Sequence, residues 1–149
     1  MLSDVSGYRK SSHSVYELKY HVVWITKYRK RVLSSLIGKR LREILKESCM
    51  SLDVEIIKGH VSSDHVHMLV SVPPSISVSN LMKSLKGRSS RKLMNEFRVL
   101  KREFWGRHLW ARGYFACTTG NVTDEIIKDY IENQEVERDK DAEFRVEGE

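Results

Sequence analysis

Residues 53–72 read DVEIIKGHVSSDHVHMLVSV, and the reading of this stretch decides the fold. Asp53–Val61 and His65–Val72 are short runs rich in β-branched residues, which favour a pleated strand. Ser62-Ser63-Asp64 between them is turn chemistry, and Pro73-Pro74 closes the second run because proline cannot donate to a strand ladder. The stretch predicts two neighbouring strands. Side chains along a strand alternate between faces, so His65 and His67 project from one face and Val66, Met68 and Val70 from the other.

Working outward, Ser35–Met50 places Leu36, Ile37, Leu41, Ile44, Leu45 and Cys49 at helical spacing, with Ser34 or Ser35 as its cap. Before it, Val15–Lys27 alternates in part through Leu18, Tyr20, Val22 and Trp24 and reads as a strand. After the hairpin, Ser77 or Ser79 opens a helix through Leu81, Met82, Leu85, Leu93, Met94 and Phe97, with Gly87 weakening its continuity. Residues 99–112 read as irregular, and Gly113–Thr119 as a fourth strand. Asn121 or Thr123 then caps a helix from Asp124 to about Glu137, with acids in its first turn where the helix dipole favours them. The order is β-α-β-β-α-β-α. That predicts an α+β fold, a ferredoxin-like (RRM-like) split βαβ antiparallel sheet with two helices and an extra C-terminal helix. One domain is expected over 1–137, its first 13 residues a polar arm, with 138–149 an acidic tail.

The chain of 149 residues has a formal net charge of +6, unevenly spread. Residues 132–149 hold eight acids against three bases, so the remaining body carries +11. Lys83–Arg112 alone holds ten bases against two acids, and Lys27–Arg31 adds four bases. A cluster of this kind attracts polyanions, because bound cations displace the counterions condensed on phosphates. No apolar run is long enough to span a bilayer, and no signal peptide is read at the N-terminus. Cys49 and Cys117 form neither a CxxC pair nor a disulfide framework, which points to a reducing, cytoplasmic setting.

The two imidazoles of His65 and His67 stand side by side, within reach of one ion. Two surface histidines in a sheet would show the same spacing. The apolar flank Met68-Leu69-Val70 weighs against that, because a buried imidazole pair without a partner is costly. On the last helix Tyr130 and Gln134 lie four apart on one face, with Ile127 and Ile131 beside them as anchors. Tyr130 is a candidate nucleophile, and the Gln134 carbonyl oxygen a candidate neutral metal ligand. A packed tyrosine and a solvated glutamine is the plainer reading of the same pair.

Taken in order, these segments resemble the single-tyrosine HUH transposases of small bacterial and archaeal insertion sequences. Lys19-Tyr20-His21-Val22-Val23-Trp24 with Lys27-Tyr28-Arg29 is similar to that family's first strand, and Asp64-His65-Val66-His67-Met68-Leu69 to its metal strand. Leu85-Lys86-Gly87-Arg88-Ser89-Ser90 is similar to its basic helix, and Tyr130-Ile131-Glu132-Asn133-Gln134 to its tyrosine motif. The resemblance implies an endonuclease and strand transferase acting on single-stranded DNA with hairpins near the element ends. It implies Mg²⁺ or Mn²⁺ on His65, His67 and Gln134, attack by Tyr130, and a 5′-phosphotyrosine intermediate. It also implies a homodimer whose sites are completed in trans.

DNA contacts are assigned to Lys27, Arg29, Lys30, Lys83, Lys86, Arg88, Ser89, Ser90 and Arg91, each of which is also readable as an ordinary surface group. Asp64 is a group that orients a ligand histidine, or else part of the turn; His60 is read first as packing, then as support for the site. Trp105 and Trp110 are read as core or dimer packing before base stacking. Two other readings stand beside the transposase. One is a domesticated relative acting on chromosomal palindromic repeats. The other is a non-catalytic nucleic-acid-binding module, disfavoured because its central strand should offer aromatics where His65 and His67 stand.

Overall fold

The computed structural model describes residues 7–105, 108–118 and 125–133. Strands β1 (Arg9–Lys10) and β2 (Val15–Tyr16) form a small hairpin. Then come β3 (Lys19–Ile25), a 3-10 turn (Lys27–Arg29), α1 (Ser35–Ser51), β4 (Glu55–Val61), β5 (His65–Ser71), α2 (Val78–Glu96), α3 (Arg98–Glu103) and β6 (Phe115–Thr118). Residues 125–133 form a further helix, α4. The main sheet is antiparallel with the order β4-β5-β3-β6, so the two most apolar strands lie at its centre. The fold is α+β, as the pattern predicts.

Strand alternation sorts the sheet into two faces. Val22 and Trp24 of β3 and Val66, Met68 and Val70 of β5 meet Leu41, Ile44 and Leu45 of α1 and Leu81, Leu85 and Leu93 of α2. Each such side chain contributes roughly 1.5–3 kcal/mol relative to exposure. On the opposite face Val23 and Ile25 receive Ile127 and Ile131 of α4. The two isoleucines predicted to anchor that helix do so. The histidines of β5 therefore sit on the face away from the main core, beside α4.

Four local expectations change. The strand expected over 15–27 divides into β2 and β3, because Glu17-Leu18 leaves the ladder. Part of the expected arm is tied down. Arg9 donates to the carbonyls of Ser71 and Asp53 and pairs with the Asp53 and Glu55 carboxylates. Residues 98–103, expected to be irregular, form α3, which buries Leu100. α2 runs unbroken through Gly87, with the Ser77 hydroxyl accepting from the Asn80 amide at its start. The caps at Asn121 and Thr123, the C-terminal end of α4 and the acidic tail lie outside the described residues.

Two helical glycines separate intrinsic propensity from packing. A Cβ at Gly38 would stand 2.8 Å from the Leu33 carbonyl oxygen, whereas one at Gly87 would meet nothing within 4 Å. Gly87→Ala should therefore raise stability by about 0.8–1.0 kcal/mol, the helix propensity gain. Gly38→Ala should lower it by about 1–3 kcal/mol, the cost of overpacking against backbone. Denaturant midpoints of the two variants should move in opposite directions.

Candidate functional site

A cleft of about 740 Å³ opens over β5 and β4, with α4 along one wall. His65 and His67 lie on its floor with His21 and His60, while Ile127, Lys128, Ile131 and Glu132 border it from the helix. The register explains the convergence. His60 of β4 stands directly across from His67, and β3 runs alongside with Val23 opposite His67. His21 approaches diagonally, its Nδ1 3.2 Å from His67 Nε2, the rings 5.4 Å apart and tilted by 33°.

His65 is held from the turn before it. Its Nδ1–H donates to Asp64 Oδ1 at 2.9 Å, and Arg29 Nε donates to the other carboxylate oxygen at 3.1 Å. Asp64 is buried, and the His65 hydrogen bond, followed by the Arg29 charge, holds its carboxyl below the usual carboxylate range against the opposing effect of burial. The turn itself is braced by backbone. The Asp64 carbonyl accepts from the Thr26 amide, and the Ser63 carbonyl accepts from the Leu33 amide. With Nδ1 engaged, His65 keeps Nε2 for the cleft, the arrangement common to metal-bound histidines. The donor set suits a divalent ion that accepts nitrogen and oxygen. Among the described residues no three His, Cys, Asp or Glu side chains form a group that could hold a metal ion.

Tyr130 is half-buried and packs on Phe115 at 5.6 Å between ring centroids. It points toward β6, and the lining of the histidine cleft does not include it. Gln134 lies outside the described residues. Asp64 holds His65, and His60 is an exposed residue of the cleft lining across from His67.

The basic groups divide. Arg29 reaches the cleft, and Lys83 and Arg91 are exposed on α2. Ser90 lines a shallow depression with Arg91, Lys101 and His108. Lys30 is paired with Glu103 at 2.6 Å, and Arg88 donates to the Ser51 hydroxyl. Lys86 donates to the carbonyls of Ala111 and Gly113, and burial lowers its pKa. It therefore ties α2 to the segment before β6. Ser89, assigned to phosphate, is fully buried; its hydroxyl donates to the Leu85 carbonyl and accepts from Trp110 Nε1, so it is a core group. Trp110 packs edge-on to Trp24 as expected, but Trp105 is exposed.

The residue that sequence reasoning missed is His21. Its spacing shows only that it shares a β3 face with Val23 and Ile25. Its approach to His67 needs the antiparallel pairing of two strands separated by 46 positions.

Comparison with known proteins agrees with this geometry. Residues 14–134 match the family described as IS200-like transposases. The chain is 36% identical over 126 residues to the ISDra2 transposase TnpA of Deinococcus radiodurans, covering 85% of this chain and 90% of that one. It is 38% identical over 129 residues to the transposase for insertion sequence element IS200 of Salmonella typhimurium, covering 87% and 84%. A crystal structure from Deinococcus radiodurans R1, described as that of a transposase, superposes with a TM-score of 0.79 at 36% identity, over 85% of this chain and 97% of that one. A REP-associated tyrosine transposase solved with a REP hairpin superposes with a TM-score of 0.52 at 13% identity, over 86% and 77%, a likeness of fold alone. The chain belongs to the IS200-like transposase family. Among the described residues no helix is long and apolar enough to cross a membrane.

The Asp64 network has a pH signature. A carboxylate with a depressed folded pKa contributes stability above its unfolded pKa, and that contribution is lost as pH falls toward the folded value. Asp64→Asn should lower the thermal midpoint at neutral pH in chelator. The gap to wild type should close as pH falls below about 4, near the unfolded carboxyl pKa. A gap that stays constant across this range would count against the ion pair.

Proposed function

We propose that this transposase cleaves and rejoins single-stranded DNA at insertion-sequence ends by metal-assisted transesterification through Tyr130. The observation that supports this reading best is the histidine pair. His65 and His67 share one strand face on the floor of a cleft, and His65 is aligned by a buried Asp64–Arg29 pair. The strand order, with α1 and α2 on one face, supports the ferredoxin-like plan, and α4 is its extra C-terminal helix.

In this reading His65, His67 and Gln134 would hold Mg²⁺ or Mn²⁺, which when bound would supply Lewis-acid stabilisation of the charge developing on the scissile phosphate. Asp64 fixes the His65 ring, and His21 and His60 flank His67. The Tyr130 phenolic oxygen attacks phosphorus, the bond from phosphorus to the 3′ oxygen breaks, and the phenolic proton passes to the leaving oxygen. The product is a 5′-phosphotyrosine and a free 3′-OH. A later 3′-OH reverses the step without ATP, because the ester conserves the bond.

Tyr130 packs on Phe115 of β6, and the helix that bears it is anchored by Ile127 and Ile131. In this reading the protein is a homodimer in which α4 of one subunit serves the cleft of the other. Hairpin DNA is assigned to the basic groups Lys27, Lys83 and Arg91 and to the Ser90 hydroxyl. The identities of 36–38% to insertion-sequence transposases, against 13% to the REP-associated one, favour a mobile element over a domesticated repeat processor.

Incubation with single-stranded element-end DNA and Mg²⁺ should yield a covalent protein–DNA adduct, absent in Tyr130→Phe. An adduct that survives this substitution removes Tyr130 from its role. His67→Ala should weaken Mn²⁺ binding in calorimetry at least tenfold, about 1.4 kcal/mol. Mixing Tyr130→Phe with His67→Ala subunits should restore adduct formation if sites are completed in trans, and should not if each chain acts alone.

A further inference from the structure

A further depression is lined by Lys27, Tyr28, Phe104 and Trp105. Its volume of about 480 Å³ falls within the ~300–1,000 Å³ of small-molecule clefts. Trp105 is 87% exposed, the most exposed large apolar side chain among the described residues. An indole left in water at the end of a helix gains nothing for the fold. Its backbone is also held in the left-handed region, at φ 56°, where a bulky residue rarely sits. Tyr28 and Arg29, across the depression, share that conformation at φ 60° and 50°. Strained residues on both sides of one opening are a mark of functional sites.

Lys27 brings a positive charge to the rim, its Nζ 4.9 Å from the Tyr28 ring centroid, while Lys30, over Phe104, is already paired with Glu103. An exposed aromatic face with an ammonium group nearby matches a nucleobase and the phosphate attached to it. A paired base in a duplex has both faces covered by its neighbours, so only an unpaired base can offer one. The depression and the candidate active site are linked along the chain. Tyr28 precedes Arg29, whose guanidinium binds Asp64 and lines the histidine cleft.

We infer that Trp105, with Tyr28 beside it and the buried Phe104 beneath as support, forms a stacking site for one unpaired base of the DNA strand that passes through the histidine cleft. The inference rests on the single-stranded DNA reading above. Stacking is tolerant of base identity, so the site holds the strand in place without reading its sequence.

The test uses the full chain and a polythymidine oligonucleotide carrying one 2-aminopurine, whose fluorescence falls on stacking. Wild type should bind and quench it. Trp105→Ala should lose the quench and bind about tenfold more weakly. Trp105→Phe should keep most of both, and Mn²⁺ affinity should be the same in all three. If Trp105→Ala binds and quenches as wild type does, the stacking site is wrong while the transposase reading stands. If sedimentation shows that Trp105→Ala alters the oligomeric state, Trp105 is a subunit contact and the inference falls. If wild type binds no single-stranded DNA, the underlying reading fails and takes this one with it.

Discussion

The pairing register of β5 is the constraint on which the rest of the molecule depends. Its partners β3 and β4 fix which side chains point toward α1 and α2 and which point toward the cleft. Val66, Met68 and Val70 are driven inward by the hydrophobic effect, and the same alternation drives His65 and His67 outward. A slip of one residue would bury both imidazoles and expose the valines, so every apolar contact on the core face defends the position of the chemistry on the other. The site needs no scaffold of its own. It is the reverse side of the core.

Around that strand the polar contacts are few and local. The turn before His65 is fixed by the Thr26 and Leu33 amides, and its carboxylate joins Arg29 to His65. Arg29 comes from the 3-10 turn directly after β3, so the exit of one central strand and the entry of the other are tied at the same end of the sheet. Alignment is therefore concentrated where the chain changes direction, supported by a sheet whose core face is lined by Val22, Trp24, Val66, Met68 and Val70.

Much of this was legible in the sequence, because it is written in short periods. The alternation around His65 and His67, the helical spacing of Leu41, Ile44 and Leu45 and the proline stop after Val72 each signal locally. The anchoring of α4 by Ile127 and Ile131 was readable for the same reason. What escaped depends on contacts between distant segments. His21 reaches His67 only through strand pairing, and Ser89 is removed from the surface only because Trp110 folds back onto α2. Lys86 carries the same charge as its neighbours but spends it on two backbone carbonyls. α3 was missed because a six-residue helix offers too little period to detect.

The seat of α4 is small. Among the described residues, four buried side chains join it to the sheet, against a main core several times larger. Every copy of the chain carries the same Val23–Ile25 platform, so a helix that leaves its own platform for a neighbour's recovers the apolar burial it gave up. If copies of the chain associate as proposed, residence on either platform would be close to an energetic tie. The element bearing the tyrosine would then be a detachable part, and the assembly that uses it could change without unfolding anything else.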